Sequence, residues 1–364
     1  MKIVEYRTAH FKISRSVWWP LKLEDRTLAI DFIEIITIEL TTDEGVTGFG
    51  YTYTLGRGGA AVHALLKSEI GPQLLNQEVT TPSSLFDSLW MSLQRVGRGG
   101  VVSVALGAAD TALWDLVAKV AELPLYRYLG VYRESVDAYG SSIDLGYELD
   151  ELQSTVATHL ERGLQSVKIK VGRPLHEDLE RLAAVRAMIG DERRLMVDAN
   201  TGWDLPESLR RAKAMETFDL TWIEEPMNPD DARGHAELQR HTATPIAAGE
   251  TLFSVSEFAN YFALGAIRYV QADVARVGGV TPWLRIATLA HAAHLPMAPH
   301  FMQDVHVHLL CSVPNAFILE HLPLLDALMV NPLVINRDGT VTPPARPGIG
   351  VVFNMDLIEP HRVN

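Results

Sequence analysis

Short β-rich runs alternate with helical stretches from about residue 136 to residue 321, and this rhythm constrains the fold more than any other feature of the chain. Eight strand candidates follow one another in this segment: VDAYGSS, SVKIKVG, RLMVDAN, TWIEEP, PIAAGE, RYVQADVA, LPMAPHF and FILEH. Their spacing of about 20–28 residues is what a strand, a helix and two short loops require, so the alternation predicts a parallel sheet. Eight such units predict a closed barrel. The competing Rossmann fold lacks support, because no GxGxxG motif follows the first strand.

The flanking segments are typical of a second, α+β domain. Alternating residues at 1–12, a β-rich run at 30–42 and the following VTGFGYTYT predict strands, the last two forming a hairpin. Helical spacing predicts helices at roughly 60–75, 82–95 and 101–121. We therefore expect an α/β fold in which a (β/α)8-type barrel carries an N-terminal α+β domain. The expected domains are residues 1–125, the barrel at 126–330 and a C-terminal segment at 331–364 that returns to the first domain.

Composition and charge exclude several classes of protein. The chain has 364 residues, 32 basic and 45 acidic side chains and a formal net charge of −13. Its average field would repel a polyanion, so we expect no nucleic-acid partner. The single cysteine, Cys311, excludes a disulfide framework and a Cys-rich zinc site. No run approaches ~18 uninterrupted apolar residues and the N-terminus lacks an apolar signal core, so we expect a cytoplasmic protein without a membrane span.

Seven of the eight predicted strands end in ionisable residues. In a barrel, the carboxyl ends of all strands face one mouth, so these side chains would converge on one cavity. A single charged strand end is usually a solvated or capping residue, but independent capping would not select the same place on successive strands. The series comprises Lys168, Lys170, Asp198, Glu224, Glu225, Glu250, Asp273, His300 and Glu320.

Three of these carboxylates, Asp198, Glu224 and Glu250, end neighbouring strands. They would repel one another and raise each other's pKa unless a cation lay between them. Oxygen ligands favour a hard ion, so the pattern predicts Mg²⁺, which Mn²⁺ could replace. Glu225 follows Glu224 directly and would point to the other side of the strand, so we assign it a supporting role.

Lys168 and Lys170 are two residues apart, which places both side chains on one face of the strand, in the barrel mouth. A neighbouring lysine and a dication should depress the pKa of a lysine and make a neutral amine available as a base. We therefore predict Lys170 as an acid/base group. Lys168 would hold the substrate carboxylate.

Asp273 and His300 form a second predicted acid/base pair on the other side of the barrel. A carboxylate bonded to one imidazole nitrogen fixes the tautomer and raises the basicity of the other nitrogen. Lys170 and His300 would flank the substrate from opposite faces, which suits either racemisation or elimination. Removing a proton next to a carboxylate requires stabilisation of an enediolate, which a dication with Lys168 and Glu320 would provide.

Seven motifs follow in a fixed order along the chain: VKIKVG, VDAN, WIEEP, AAGE, DVARVGGVTPW, APHF and LEH. With the helical stretch ALGAADTALWDLVAK, they make the chain resemble the mandelate racemase subgroup of the enolase superfamily along essentially its whole length. The resemblance implies a capping domain completed by the C-terminal tail, a homo-oligomer, and two specificity loops at roughly 14–28 and 51–60. The predicted substrate-binding residues are Lys168, Asn200, Glu320, Arg57, Arg98, Tyr53 and Lys22.

Within the subgroup, the strings PDDARGHAEL, APHFMQDVHVHL and VGRGG are most similar to galactarate/talarate dehydratases. We therefore predict a magnesium-dependent hydro-lyase that eliminates water from a hexarate-like sugar acid to give a 2-keto-3-deoxy acid. One alternative is a racemase or epimerase of a 2-hydroxy acid, which would exchange the α-proton without forming a keto product. Another alternative is a barrel that binds a ligand but catalyses no reaction. The complete set of metal ligands and bases argues against it. Gln303 and Asp304 after His300 depart from the pattern and leave the sugar configuration open.

Overall fold

The computed structural model describes residues 1–19, 21–25, 27, 29–79 and 81–363. Three N-terminal strands form an antiparallel sheet: β1 Ile3–Ser14, β2 Phe32–Thr42 and β3 Thr47–Thr54. The predicted hairpin is confirmed, since β2 and β3 pair from Glu34 opposite Thr54 to Thr41 opposite Thr47. The predicted loop at 14–28 includes Pro20, Arg26 and Leu28, which lie outside the described residues.

Five helices accompany this sheet: α1 Arg15–Trp18, α2 Gly59–Leu65, α3 Gly71–Leu74, α4 Pro82–Leu93 and α5 Val101–Val120, with a π-helical turn, Leu66–Ile70, between α2 and α3. Helix α5 packs on β3 so closely that a Cβ atom at Gly50 would lie 2.0 Å from the carbonyl oxygen of Ala108. By length and composition α5 could cross a membrane, but 83% of its most apolar window is buried inside the protein. It is therefore a core helix of the capping domain.

Seven parallel strands and one bridging residue form the barrel. The strands are β4 Val136–Gly140, β5 Ser166–Lys170, β6 Arg194–Asp198, β7 Leu220–Glu224, β8 Ile246–Ala248, β9 Tyr269–Val270 and β10 Leu319–His321, paired in the order β10-β4-β5-β6-β7-β8-β9. The prediction of a seventh full strand in LPMAPHF is wrong, because only Met297 bridges there, to Val270 and to Ala316. These two bridges join β9 to the segment before β10, so the expected closed barrel is confirmed.

Eight helices alternate with the barrel strands: α6 Leu125–Leu129, α7 Leu149–Glu161, α8 Leu175–Ile189, α9 Leu205–Met215, α10 Ala232–His241, α11 Val255–Leu264, α12 Val280–Ala292 and α13 Gln303–Cys311. The later elements are β11 Thr340–Val341 and α14 Met355–Ile358. Single 3₁₀ turns lie at Glu216–Phe218, Asp326–Leu328 and Glu359–His361.

The C-terminal segment contacts both parts of the chain. Strand β11 pairs with β4 of the barrel. Further on, the ring of Phe353 meets Tyr51 of β3 edge-on at 5.1 Å, and Arg362 bridges to Phe11 of β1. The tail therefore returns to the capping sheet, while the exact domain boundaries at 125 and 330 stay a prediction.

A separate apolar cluster fills the interior of the barrel. Its members come from four of the strands and from the segments around Met297 and just before β10: Tyr139, Met196, Trp222, Ala247, Ala298 and Ile318. Each strand alternates inward and outward side chains, so the inward residues one step nearer the carboxyl ends form the next layer. That layer holds the polar groups of the candidate site. Trp222 joins the two layers, because its indole N–H donates to Glu224 at 3.0 Å.

Asp110 of α5 links the capping domain to the barrel and gives a pH-dependent prediction. It is 1% exposed, and its carboxylate accepts the backbone N–H and the hydroxyl of Thr281, both at 2.7 Å. Burial raises the pKa of Asp110 to about 7, although the Thr281 bonds oppose this. The folded protein therefore holds this proton to higher pH than the unfolded chain. The stabilisation is complete below the unfolded pKa of 3.8 and is lost as the pH rises through 7.

The Asp110→Asn variant lacks this titration. From pH 5 to pH 8, the free energy of unfolding of the wild type should fall by roughly 2–3 kcal/mol relative to the variant. Urea unfolding of both proteins at pH 5, 6, 7 and 8 measures the difference. A difference that does not change with pH would contradict the titration of Asp110.

Candidate active site

A cavity of about 40 Å³ opens at the carboxyl ends of the barrel strands, under the capping domain. Seven residues predicted from the sequence line it: Lys168, Lys170, Glu250, His300, Glu320, Asn200 and Tyr53. The first five come from four different strand ends or the loops that follow them, so the convergence expected of a barrel mouth is present. Asp198, Glu224 and Asp273 lie directly behind this lining, within contact of the residues that form it.

Asp198, Glu224 and Glu250 form one cluster, in which a carboxylate oxygen from each lies within 4.8 Å of the others. All three are buried. Burial, together with Asp198, Glu320 and Glu250, raises the pKa of Glu224 to about 7, even though Lys168 lowers it. Three buried carboxylates with this mutual repulsion fit a divalent cation held by oxygen ligands. Glu225 stands apart from the cluster, since its carboxylate accepts the hydroxyl of Thr251.

Both lysines of β5 bind carboxylates of this cluster or next to it. The Lys168 ammonium lies 2.6 Å from Glu224 and 2.8 Å from Glu320, and Lys170 lies 2.5 Å from Asp198. The predicted depression of the lysine pKa assumes a dication, and among the protein groups alone the pKa of both lysines is raised. Burial lowers the pKa of Lys170, but the attraction of Asp198 outweighs burial and the net pKa is raised. Glu224 and Glu320 outweigh burial in the same way at Lys168. A cation among the carboxylates would weaken this attraction.

His300 lies between two carboxylates. Its Nδ1 is 2.9 Å from Asp273 and its Nε2 is 3.2 Å from Glu250. Burial lowers the pKa of His300, but Glu250 and Asp273 raise it above its ordinary value. Tyr53 reaches down from β3 and donates its hydroxyl to the same Asp273 oxygen at 2.7 Å. Asp273 is therefore fixed from the capping domain as well as from the barrel, and it orients the imidazole.

Hydrogen bonds that involve backbone N–H groups fix Glu320 and Asn200. Glu320 accepts the N–H of Phe301 at 2.7 Å, and Asn200 donates its own N–H to Asp198 at 2.8 Å. Burial raises the pKa of Glu320, but Lys168 and His300 bring it far below its ordinary value. Glu320 is thus an anion paired with Lys168 at the cavity wall.

Strained backbone surrounds the site. Of the nine non-glycine residues with positive φ among those described, five directly follow the site strands or His300: Asn200, Thr201, Glu225, Phe301 and Met302. Such conformations are costly and tend to cluster at functional sites. Here they turn the chain sharply at the points where the polar side chains enter the cavity.

Three predicted substrate-binding residues are not brought to the cavity. Lys22, Arg57 and Arg98 are exposed and lie outside its described lining. Their side chains extend into solvent. The arginine that does line the cavity is Arg276, which the sequence analysis missed. It follows Asp273 by three residues, within the DVARVGG motif, and its guanidinium donates to the Tyr53 hydroxyl at 3.4 Å.

The remaining lining was not foreseen either. It is mostly apolar and comes from the capping domain, from the loop after β4, from the residue after His300 and from the loop after β10: Leu55, Ile143, Phe301, Leu322 and Leu324, together with Asp25. Side chains of these loops carry no periodic signal, so their direction could not be predicted. His306 and His308 on α13 are buried, bond to the backbone at Val274 and Ile349 respectively, and are not among the residues that line the cavity.

Two family models match the chain. Residues 12–130 match the mandelate racemase/muconate lactonizing enzyme N-terminal domain, and residues 151–357 match the enolase C-terminal domain-like family. A 3,6-anhydro-alpha-L-galactonate cycloisomerase of Streptomyces coelicolor is 38% identical, over 93% of this chain and 94% of that one. An L-talarate/galactarate dehydratase of Salmonella typhimurium is 39% identical, over 91% and 83% of the two chains.

A solved structure agrees with the same assignment. The L-talarate dehydratase of Polaromonas sp. JS666, complexed with Mg and L-glucarate, matches with a TM-score of 0.93 at 36% identity, covering 100% of this chain and 98% of that one. Both domains of the family are therefore present in order, with their fold and over nearly the whole chain. The chain belongs to the mandelate racemase/muconate lactonizing enzyme family of the enolase superfamily.

Proposed function

We propose that this protein is a magnesium-dependent hydro-lyase that eliminates water from a sugar acid to give a 2-keto-3-deoxy acid. The observation that carries the proposal is the cavity in which a three-carboxylate cluster meets two acid/base groups, Lys170 and His300. Relatives that act on sugar acids, at 38% and 39% identity, support the same substrate class. Galactarate- or talarate-like hexarates are the first substrates to examine.

Asp198, Glu224 and Glu250 would hold the cation. When bound, Mg²⁺ would neutralise the substrate carboxylate and the charge that develops on it. Lys168 and Glu320 lie beside this position, 2.8 Å from each other. In our proposal Lys168 binds a carboxylate oxygen of the substrate, and Glu320 keeps the lysine in place.

Elimination then needs two proton transfers. Lys170 or His300 removes the α-proton, and the electron pair of the C–H bond forms the enediolate. As the enediolate collapses, the C–O bond to the β-hydroxyl breaks, and His300 or the other member of the pair donates a proton so that water leaves. The resulting enol tautomerises to the 2-keto acid. Asp273, fixed by Tyr53, keeps Nε2 of His300 directed toward the substrate.

A dehydration screen tests this function. Purified protein with Mg²⁺ is incubated with a stereochemical panel of aldonic and aldaric acids, and 2-keto product is detected with semicarbazide. We expect a strong signal on one or a few related acids. If no acid gives a keto product but the α-proton exchanges with solvent, the protein is instead a racemase or epimerase. Lys170 and His300 in one cavity would also serve that reaction.

The cellular location and the oligomeric state belong with this proposal. A cytoplasmic homo-oligomer that acts on small carboxylates stays a prediction. Size-exclusion chromatography with light scattering measures the number of subunits directly.

A further inference from the structure

A buried carboxylate of the capping sheet lies at the base of a loop that forms part of the cavity wall. Glu34 lies on β2, opposite Lys12 of β1 and Thr54 of β3, and is 4% exposed. Residues 55–58, termed here the capping loop, connect β3 to α2. Within this loop Leu55 lines the cavity, and Arg57 at the tip is exposed.

One oxygen of Glu34 holds both ends of the capping loop. Oε2 accepts the hydroxyl of Thr54 at 2.6 Å and the backbone N–H of Gly59 at 3.0 Å, the residues directly before and after the loop. Lys12 reaches the middle of the loop, where its ammonium donates to the carbonyl oxygen of Gly56 at 3.4 Å. The capping loop is therefore tied to the sheet at three points, two of them through a single carboxylate oxygen.

Gly59 leaves room for this contact. A Cβ atom at this position would lie 2.7 Å from Glu34 Oε2 and 2.6 Å from His10 Nε2. Any side chain would therefore push the first turn of α2 away from Glu34. Glycine at position 59 therefore allows the Glu34 carboxylate to bind the first turn of α2 directly.

The other oxygen of Glu34 faces two basic side chains. Oε1 lies 3.4 Å from His10 Nε2 and 3.7 Å from the Lys12 ammonium. Burial raises the pKa of Glu34, but the bonds from Thr54 and Gly59, together with the nearby His10 and Lys12, bring it below its ordinary value. An ionised acceptor makes hydrogen bonds about twice as strong as a neutral one. Glu34 therefore holds the loop with charge-assisted bonds in a buried setting.

We propose that Glu34 is a positioning residue for substrate selection: by holding both ends of the capping loop, it fixes Leu55 in the cavity wall against the body of the sugar acid. The proposal rests on the proposed function, since it assigns Leu55 to the substrate of that reaction. Glu34 itself touches neither the substrate nor the acid/base groups. Its effect should therefore appear in substrate binding and loop order rather than in proton abstraction.

Limited digestion with trypsin measures the order of the loop without any substrate. Arg57 is a cleavage site inside the loop, and cleavage requires local opening. We expect Glu34→Ala to be cut after Arg57 at least about tenfold faster than the wild type, detected by mass spectrometry. Glu34→Gln should be cut at a rate between the two, because one amide oxygen can accept both bonds but lacks the charge that strengthens them. Glu39→Gln, an exposed acid on the same strand, is the matched control. Equal cleavage of Glu34→Ala and the wild type overturns the proposal.

Steady-state kinetics on the acid found by the screen then tests the role in selection. We expect Glu34→Ala to raise KM about tenfold while kcat stays within about threefold. In a Leu55→Ala background the same substitution should add less than about twofold, because both act through one contact. Fully additive effects, or a fall in kcat at unchanged KM, overturn the proposal. If no acid is turned over, the proposed function fails and the role in selection fails with it, whereas the trypsin result decides the loop contact separately.

Discussion

The His300→Asn variant is expected to lose nearly all turnover, with kcat lower by about 10²–10⁴-fold, the usual contribution of a positioned acid/base group. His300 lines the cavity, where its Nε2 lies 3.2 Å from Glu250 and its Nδ1 lies 2.9 Å from Asp273. Asparagine preserves a polar side chain of similar reach but cannot take or give the proton. The rate of product formation at saturating concentrations of the sugar-acid substrate and of Mg²⁺ measures the loss of kcat.

His294→Asn is the matched control for this variant. His294 is exposed and has φ 57°, a conformation that asparagine adopts readily, so activity should be unchanged. Lys170→Ala completes the comparison. Full turnover in Lys170→Ala with an inactive His300→Asn would exclude the lysine as the base for that substrate. Wild-type activity in His300→Asn would contradict the proposed role of the Asp273–His300 pair.

The Glu224→Gln variant is expected to lose both the cation and the reaction. Glu224 is fully buried in the carboxylate cluster, and a neutral amide there removes one of three charges that would bind Mg²⁺. We expect Mg²⁺ affinity to fall at least about 100-fold, beyond the usual effect of changing an outer partner of a metal ligand. Isothermal titration of the purified protein with Mg²⁺ measures this without any substrate.

Chelation gives an independent readout of the same site. Wild-type turnover should disappear in EDTA and return with excess Mg²⁺ or Mn²⁺, since both suit oxygen ligands. Glu237→Gln, a half-exposed acid on α10 that pairs with Arg240, should bind Mg²⁺ like the wild type. Unchanged affinity in Glu224→Gln would show that the cluster of Asp198, Glu224 and Glu250 does not hold the cation.

The barrel and the centre of the site could be predicted because both follow from strand periodicity. Side chains two residues apart share a face, so Lys168 and Lys170 had to lie together, and parallel strands end on one side, so Asp198, Glu224 and Glu250 had to be neighbours. The structure brings these groups into contact at the distances that ion pairs and metal clusters need. Their individual roles in the reaction stay predictions.

The rest depends on contacts that no periodic pattern encodes. Lys22, Arg57 and Arg98 lie in loops whose side-chain directions are set by packing, whereas Arg276 enters the cavity from a turn three residues after Asp273. The direction of the Lys170 pKa shift depends on a 2.5 Å contact to Asp198, which sequence spacing does not give. Met297, bridged both to Val270 and to Ala316, shows that one residue can join two neighbouring strand segments and close a barrel.

The most direct test of α-proton abstraction is hydrogen exchange in D₂O. Wild-type protein with Mg²⁺ is mixed with the panel acids, and proton NMR follows the signal at the carbon next to the carboxylate. We predict that at least one acid loses this proton, as deuterium-labelled substrate or as keto product, and that a Lys170→Ala/His300→Asn double variant leaves it intact. Retention of the proton in every acid with the wild type, or its equal loss with the double variant, would contradict the proposed chemistry.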